Sequence, residues 1–197
     1  MLRNEVASNR LRRPVYFATT NRGKFEEVAA LAAECGVTLR RLDLKPPEIQ
    51  SESLGEIART SALQLIEGAN PTPIIVEDAG LFIEALNGFP GPFSSYTYAK
   101  LGTEGVIKLL KGRRNRGAHF LSVIAYADGE APPLLFEGRA DGLITHHSRG
   151  TYGFGFDPIF QPLDTRKTFA EMTTTEKNMY SHRAQAFRKF VHLYLSK

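Results

Sequence analysis

Four segments of this 197-residue chain carry residue types that could handle a charged ligand. The first is Thr19-Thr20-Asn21-Arg22-Gly23-Lys24, which follows the apolar run Val15 to Ala18 and ends on a Gly-Lys pair. A Walker loop needs a glycine separated from that pair by four residues, and a Ser or Thr after it. Ala18 and Phe25 stand in those places, so this is a different turn. It still leads into a helix N-terminus, where unpaired N–H groups and the dipole favour an anion. Lys24 adds a point charge there, and Asn21 is a residue type that tolerates left-handed backbone. An ordinary strand-to-helix turn with a solvated lysine fits the same residues.

The second segment is "PIIVEDAG", read as a short apolar strand whose C-terminal end delivers Glu77 and Asp78. Strand ends are where α/β proteins build sites. Glu48, in the proline-rich loop "DLKPPEIQSES", could reach the same cleft. Mg²⁺ prefers one or two carboxylates, several waters and substrate phosphates, which suits such a set. Surface acids flanking strands would look alike.

The third is "YGFGFDPIF", where glycines alternate with aromatics. A phenylalanine exposed beside glycine offers a face on which a base can stack, while Ile159 and Phe160 read as core. The fourth is "FAEMTTTEKNMYSHRAQAF", where Lys177, His182 and Arg183 crowd ahead of an amphipathic helix. In one continuous helix these three would point to different sides. A helix starting at Ser181, a good N-cap, would leave Lys177 in the entering loop and the other two in the first turn. His146 and His147 lack further ligands at metal spacing and read as a solvated turn.

The elements that must position these groups follow from periodicity. Phe25, Val28, Ala29 and Ala32 recur at helical spacing up to Gly36, and Thr38 to Leu42 reads as a strand. Ser53 with Glu56 forms a capping-box pattern for a helix reaching about Gly68. Helices are expected over Phe93–Leu101 and Thr103–Leu110. His119–Ala127 and Leu134–Arg139, separated by "DGEAPP", predict a hairpin, with a further short strand at "GLIT". Helices and parallel-type strands come first and hairpin strands follow. The expectation is an α/β protein with a mixed sheet.

Composition narrows the setting. A hydrophobic share of 42% supports one well-buried core. No apolar run reaches membrane-spanning length, so no membrane association is expected. Cys35 is the single cysteine, which excludes an internal disulfide and fits a cytoplasmic location. Residues 1–13 hold four arginines and no apolar core, and read as a flexible extension rather than a secretory signal. Residues 14–197 then form one domain. A net charge of +4 suits a polyanion, nucleotide or nucleic acid.

In combination, "TTNRGKFEEV", "DLKPPEIQ", "VEDAGLFIEALNGFPGPFSSY", "GFGFDPIF" and "FAEMTTTEKNMYSHR" resemble the inosine triphosphate pyrophosphatase family, in order, from Val15 to Phe187. The resemblance implies Mg²⁺-dependent hydrolysis of ITP, dITP and XTP to monophosphate and pyrophosphate. It implies an elongated α/β fold with two lobes around a cleft, a homodimer, and a nucleotide rather than nucleic acid as partner. Carried over by position, Thr19, Thr20, Asn21, Arg22, Gly23, Lys24 and Ala79 would contact the triphosphate. Glu48 and Asp78 would hold the metal, with Asp78 also the base for the attacking water. Phe154, Gly155, Phe156 and Asp157, with Lys177, His182 and Arg183, would form the base pocket.

Hypoxanthine and xanthine present a keto oxygen at position 6, where adenine has an amino group. Donors in the pocket would satisfy the first and reject the second. Three positions depart from the family pattern. Ala79 replaces Ser or Thr, Ser61 stands where a phosphate-binding lysine is expected, and Phe156 replaces Tyr or Trp. The alternatives are a related pyrophosphatase acting on another nucleotide, or a non-catalytic nucleotide or RNA binder.

Overall fold

The computed structural model describes residues 13–47, 49–68 and 71–196. Its first half alternates strand and helix: β1 Val15–Ala18, α1 Arg22–Glu34, β2 Leu39–Leu42, α2 Leu54–Glu67 and β3 Ile74–Ile83. The second half holds β4 Pro90–Gly91, α3 Ser94–Leu109, β5 Gly117–Ala127, β6 Leu134–Ile144, β7 Phe160–Pro162, α4 Thr174–Tyr180 and α5 His182–Ser196. All seven strands belong to one sheet, ordered β2-β1-β3-β5-β6-β7 with β4 on β3. β1 pairs in parallel with β2 and β3, and the remaining pairings are antiparallel. The expected mixed α/β sheet is therefore what forms. Among the described residues no helix is long and apolar enough to cross a membrane.

The chain steps from β1 outward to β2, then back over β1 to β3. Crossovers of one hand that reverse direction put their helices on opposite faces. Accordingly Val28, Leu31 and Ala32 of α1 pack on Val15, Phe17 and Ile75, whereas Leu54, Ala58 and Ala62 of α2 pack on Ala18, Ile74 and Val76. The reversal makes the space beyond the C-terminal end of β1, beside β3, a topological switch point.

Alternation along β3 explains the rest of the core. Ile75 joins the cluster under α1 and α5, while Leu81 and Ile83 join a second cluster with Val106, Phe120, Phe156, Phe160 and Phe169. Both lie on the same face, and Glu77 stands between them. Gly138 of β6 lets α5 close over this face, because a Cβ there would overlap the His182 carbonyl.

Several boundaries move. β3 runs ten residues, so Glu77 and Asp78 lie inside it rather than at its end. β5 covers its whole length, from Ile74↔Ala127 to Ile83↔Ala118, and internal ion pairs make a mid-strand glutamate tolerable. "GLIT" is not a separate strand; residues 142–144 close β6, which β5 pairs without a break. The two helices expected around Gly102 do form, as the two parts of α3 on either side of that residue, whose φ of 60° and ψ of −170° break the helical path. Ser53 caps α2 by accepting from the Glu56 N–H, but the Glu56 carboxylate accepts from Ser51 instead of closing the box. Lys177 sits within α4, not in a loop, and Ser181 breaks the chain before α5.

Candidate active site

The turn after β1 is built by its own side chains. Thr19 Oγ1 accepts from the Asn21 N–H (3.1 Å), and Asn21 Oδ1 accepts from the Lys24 N–H (3.0 Å). Asn21 has φ −79° and ψ 106°, so it is an extended N-cap rather than a left-handed residue. Thr19 is buried, Thr20, Asn21 and Arg22 are exposed, and Arg22 pairs with Glu26.

β1 partners β3 only at Ile74 and Ile75, and β4 rejoins the same edge at Leu81 and Phe82. Between them the main-chain groups of β3 meet side chains. Lys24 Nζ donates to the Glu77 carbonyl (3.2 Å) and pairs with Glu77 Oε2 (2.8 Å). The Ala79 N–H donates to Asp78 Oδ1 (3.0 Å), and the Leu81 N–H donates to Ser94 Oγ (2.8 Å). Main-chain groups of alternate residues face one edge, so Lys24 and the Asp78 carboxylate flank the same open stretch of strand. Gly80 completes it: a Cβ there would overlap the Gly91 carbonyl.

Behind this edge runs an alternating chain of six charges: Lys24, Glu77, Arg183, Glu27, Lys177 and Asp157. Arg183 donates through Nε to Glu77 Oε1 (3.1 Å) and through Nη1 to Glu27 Oε2 (2.6 Å). Lys177 Nζ donates to Glu27 Oε1 and to Asp157 Oδ2, both at 2.6 Å. Ser122 adds a bond to Glu77 Oε1 (2.6 Å). Burial opposes ionisation of Glu77, but Arg183 and Lys24 hold its pKa down to about 2. Burial likewise opposes Glu27, and the two cations on it prevail and hold it below its ordinary value. Asp157 shares only Lys177, so burial prevails and pushes its carboxyl up. One lysine between two carboxylates cannot stabilise both fully.

The aromatic loop closes over this chain. The Phe154 ring covers Lys177 Nζ at 5.0 Å and Arg183 Cζ at 5.5 Å from its centroid. Its N–H donates to Asp157 Oδ2 (2.8 Å). Gly153 and Gly155 on either side have φ of 72° and 61°. Phe156 is buried, edge-on to Tyr98 at 5.4 Å, so its ring belongs to the core rather than to an open pocket. His182 is buried and stacked on Phe120 at 4.6 Å. Burial first, and then the Arg183 charge, keep its imidazole neutral with a pKa well below 6.5.

Lys24, Glu77, Phe154, Asp157, Lys177 and Arg183 thus converge, with Asp78 and Ala79 on the adjoining edge. Glu48 lies outside the described residues. Ser61 is buried under the proline-rich loop, where its Oγ donates to the Pro47 carbonyl (2.5 Å), and Arg59 is exposed on another side of α2. Among the described residues no group of three or more His, Cys, Asp or Glu could hold a metal. Mg²⁺ asks for less than such a cage, and a carboxylate on an open strand edge fits it. Glu27 and the inward role of Glu77 were missed from sequence. "KFEEV" offers two adjacent acids, and the α1 stripe of Val28 and Leu31 is the signal that Glu27 borders the covered face.

The chain matches the Ham1 family over residues 15–193. It is 47% identical over 180 residues to a dITP/XTP pyrophosphatase of Methanopyrus kandleri, covering 91% of this chain and 95% of that one. It is 49% identical over 174 residues to one of Thermococcus kodakarensis, covering 88% and 93%. Among solved structures, a HAM1 protein from Coxiella burnetii superposes with a TM-score of 0.78 at 30% identity, covering 94% of this chain and all of that one. With its motifs in the expected order and the fold they require, the chain belongs to the Ham1 family.

Proposed function

We propose that this protein hydrolyses non-canonical purine nucleoside triphosphates (ITP, dITP and XTP) to the monophosphate and pyrophosphate. The observation that carries this reading is a convergence of groups: a lysine-bearing helix N-terminus and the Asp78 edge at one end, and an aromatic ring over two cations at the other. The relatives named dITP/XTP pyrophosphatase, similar along nearly their whole length, support it.

The first turn of α1 and Lys24 would take the polyphosphate, the N–H groups and dipole adding to the lysine charge. Asp78 and Glu48 would hold Mg²⁺, which when bound neutralises charge on the phosphate oxygens. Water attacks the α-phosphorus and the bond to the bridging oxygen breaks, with pyrophosphate as leaving group. Asp78, fixed through Oδ1 by the Ala79 N–H, takes the water proton. Little covalent chemistry is asked of the protein beyond alignment and charge neutralisation. At the other end the purine enters between Phe154 and the two cations as the ring swings on Gly153 and Gly155. The 6-keto oxygen then meets N–H donors of Lys177 and Arg183, which offer nothing to a 6-amino group.

Incubation with ITP, dITP, XTP, GTP and ATP, with Mg²⁺ or EDTA, tests the reading when pyrophosphate and orthophosphate are separated. Pyrophosphate from the first three, abolished by EDTA, is expected. Orthophosphate as sole product, or equal rates on all five, overturns it. Homodimerisation belongs to the same reading by family resemblance, and sedimentation velocity checks it.

A further inference from the structure

The basic turn between α3 and β5 takes no part in the site described above. Residues 108–116 hold five basic side chains and no acidic one, in a chain whose whole formal excess is +4. Arg116 is engaged internally: its Nε donates to the Ile144 carbonyl and its Nη2 to the Thr145 carbonyl, both at 2.6 Å. This clasp seats the turn against residues 145–148, and Ser148 Oγ ties the same loop to Thr103 Oγ1 of α3 (3.2 Å). Two segments apart in sequence therefore make one end of the molecule, where His146 and His147 are also exposed.

Lys108, Lys111, Arg113 and Arg114 remain exposed there, and among the described residues none of the four forms an ion pair. The acids at this end are taken, Glu84 by Asn115 Nδ2 (3.0 Å) and Glu104 by Ser148 Oγ (3.3 Å). The α3 dipole accounts for Lys108 in the last turn, but the effect ends with that turn, and Arg113 and Arg114 lie beyond it. Gly112 reverses the chain at φ 78°, with no atom within 4 Å of where a Cβ would stand, so the tip projects clear of the body. Like charges crowded in one turn repel, and a polyanion relieves the repulsion. Guanidinium groups fork onto phosphate oxygens. Leu109 is the one exposed large apolar side chain between residues 108 and 116, too little for a face that enters a membrane. We propose that this end binds the phosphate backbone of a nucleic acid through Lys108, Lys111, Arg113 and Arg114. The turn leads into β5 opposite Ile83, five residues and about 17 Å along β3 from Asp78, so it forms a second surface apart from the candidate active site. Contacts to phosphate carry no sequence information, so no base preference is expected.

Fluorescence anisotropy tests this, with the full protein titrated at several salt concentrations into labelled single-stranded DNA, single-stranded RNA and duplex DNA of one length. Micromolar binding to all three, weakening with salt, is expected; binding confined to one of them overturns a contact made through phosphates alone. Lys111→Glu/Arg113→Glu/Arg114→Glu should raise the dissociation constant about tenfold or more and flatten the log–log salt slope by about 2, at about 0.7 per lost contact on a single strand. The same three changed to Gln should give an intermediate loss, and both variants should keep the thermal midpoint, since all three side chains are exposed. Arg40→Glu/Arg166→Glu/Arg188→Glu shifts the net charge equally on exposed arginines of other segments, and should bind within about threefold of the unaltered protein. Equal weakening by the two sets means diffuse net charge and overturns the proposal. Displacement of the oligonucleotide by IMP also overturns it, by placing the strand in the candidate active site. So does capture by vesicles of anionic phospholipid without oligonucleotide binding, which would make the surface a membrane contact. None of these outcomes depends on whether the protein hydrolyses ITP.

Discussion

The ring of Phe154 rests on Gly23, so closely that a Cβ at residue 23 would overlap it. The loop proposed to bind the base therefore touches the turn proposed to bind the phosphates, across a separation of 131 residues in sequence. Glycine at this place serves contact rather than backbone freedom, since residue 23 lies within the helical first turns of α1.

Gly23→Ala separates those two explanations. In a helix alanine is favoured over glycine by roughly 0.5–1 kcal/mol, so the fold should hold or gain. The methyl group must push Phe154 off the turn. Stability within about 1 kcal/mol of the original, with kcat/KM for ITP lowered about tenfold, is expected. Unaltered kinetics would show that the contact is incidental.

Asp78→Asn should leave the thermal midpoint nearly unchanged, because Asp78 is half-buried on the strand edge and the amide oxygen can still accept from the Ala79 N–H. Turnover should fall by about three orders of magnitude or more, as both an anionic ligand and a proton acceptor are lost. Initial rates at saturating ITP and Mg²⁺ measure it. A rate within tenfold of the original removes Asp78 from the chemistry.

Arg183→Ala is expected to act on stability before selectivity. It leaves Glu27 with Lys177 alone and Glu77 with Lys24 and Ser122, each buried carboxylate short of one cation. Breaking a buried pair from one side costs about 3–5 kcal/mol. Urea unfolding reads this directly, and a loss below about 1 kcal/mol would show that water reaches the vacated space.

His182 sets a pH dependence. The imidazole protonates near 6.5 in the unfolded chain, whereas burial and the Arg183 charge hold the folded value well below that. Between the two values the unfolded state binds more protons, so stability is complete above pH 7 and drains as pH falls below 6.5. The slope from one such group approaches about 1.4 kcal/mol per pH unit. Unfolding measured from pH 7.5 to 5.5 should show a steeper decline for the unaltered protein than for His182→Phe. Parallel curves would mean that the ring is solvated.

Local signals carried much of the fold. Ser53 and Ser181 cap the helices that follow them, as their side-chain chemistry implies, whereas Asn21, expected for its tolerance of left-handed backbone, proves to be an extended N-cap. The break at Gly102 and the β5–β6 hairpin were equally legible. Misreadings cluster where a local polar cue was overruled by a distant partner. Glu77 and Asp78 looked like a strand terminus, yet the strand continues because Lys24 and Arg183 neutralise Glu77 inside it. Residues 140–141 looked like a break between two strands, yet β6 runs through them, and Gly138 and Gly142 let α5 and β7 approach it where a side chain would not fit.

By itself the sequence determined the chemical inventory: the lysine turn, the acid pair, the glycine-flanked aromatics and the late cluster of donors, in an order matching one family. Only the tertiary structure decided which of those groups face a ligand and which face one another. Arg183 reaches Glu77 across 106 residues, and Lys177 and Arg183 reach Glu27 across 150 and 156. Helix and strand periods report which side of an element is covered, but not what covers it. A charge appears solvated until folding brings its counter-charge from the other end of the chain.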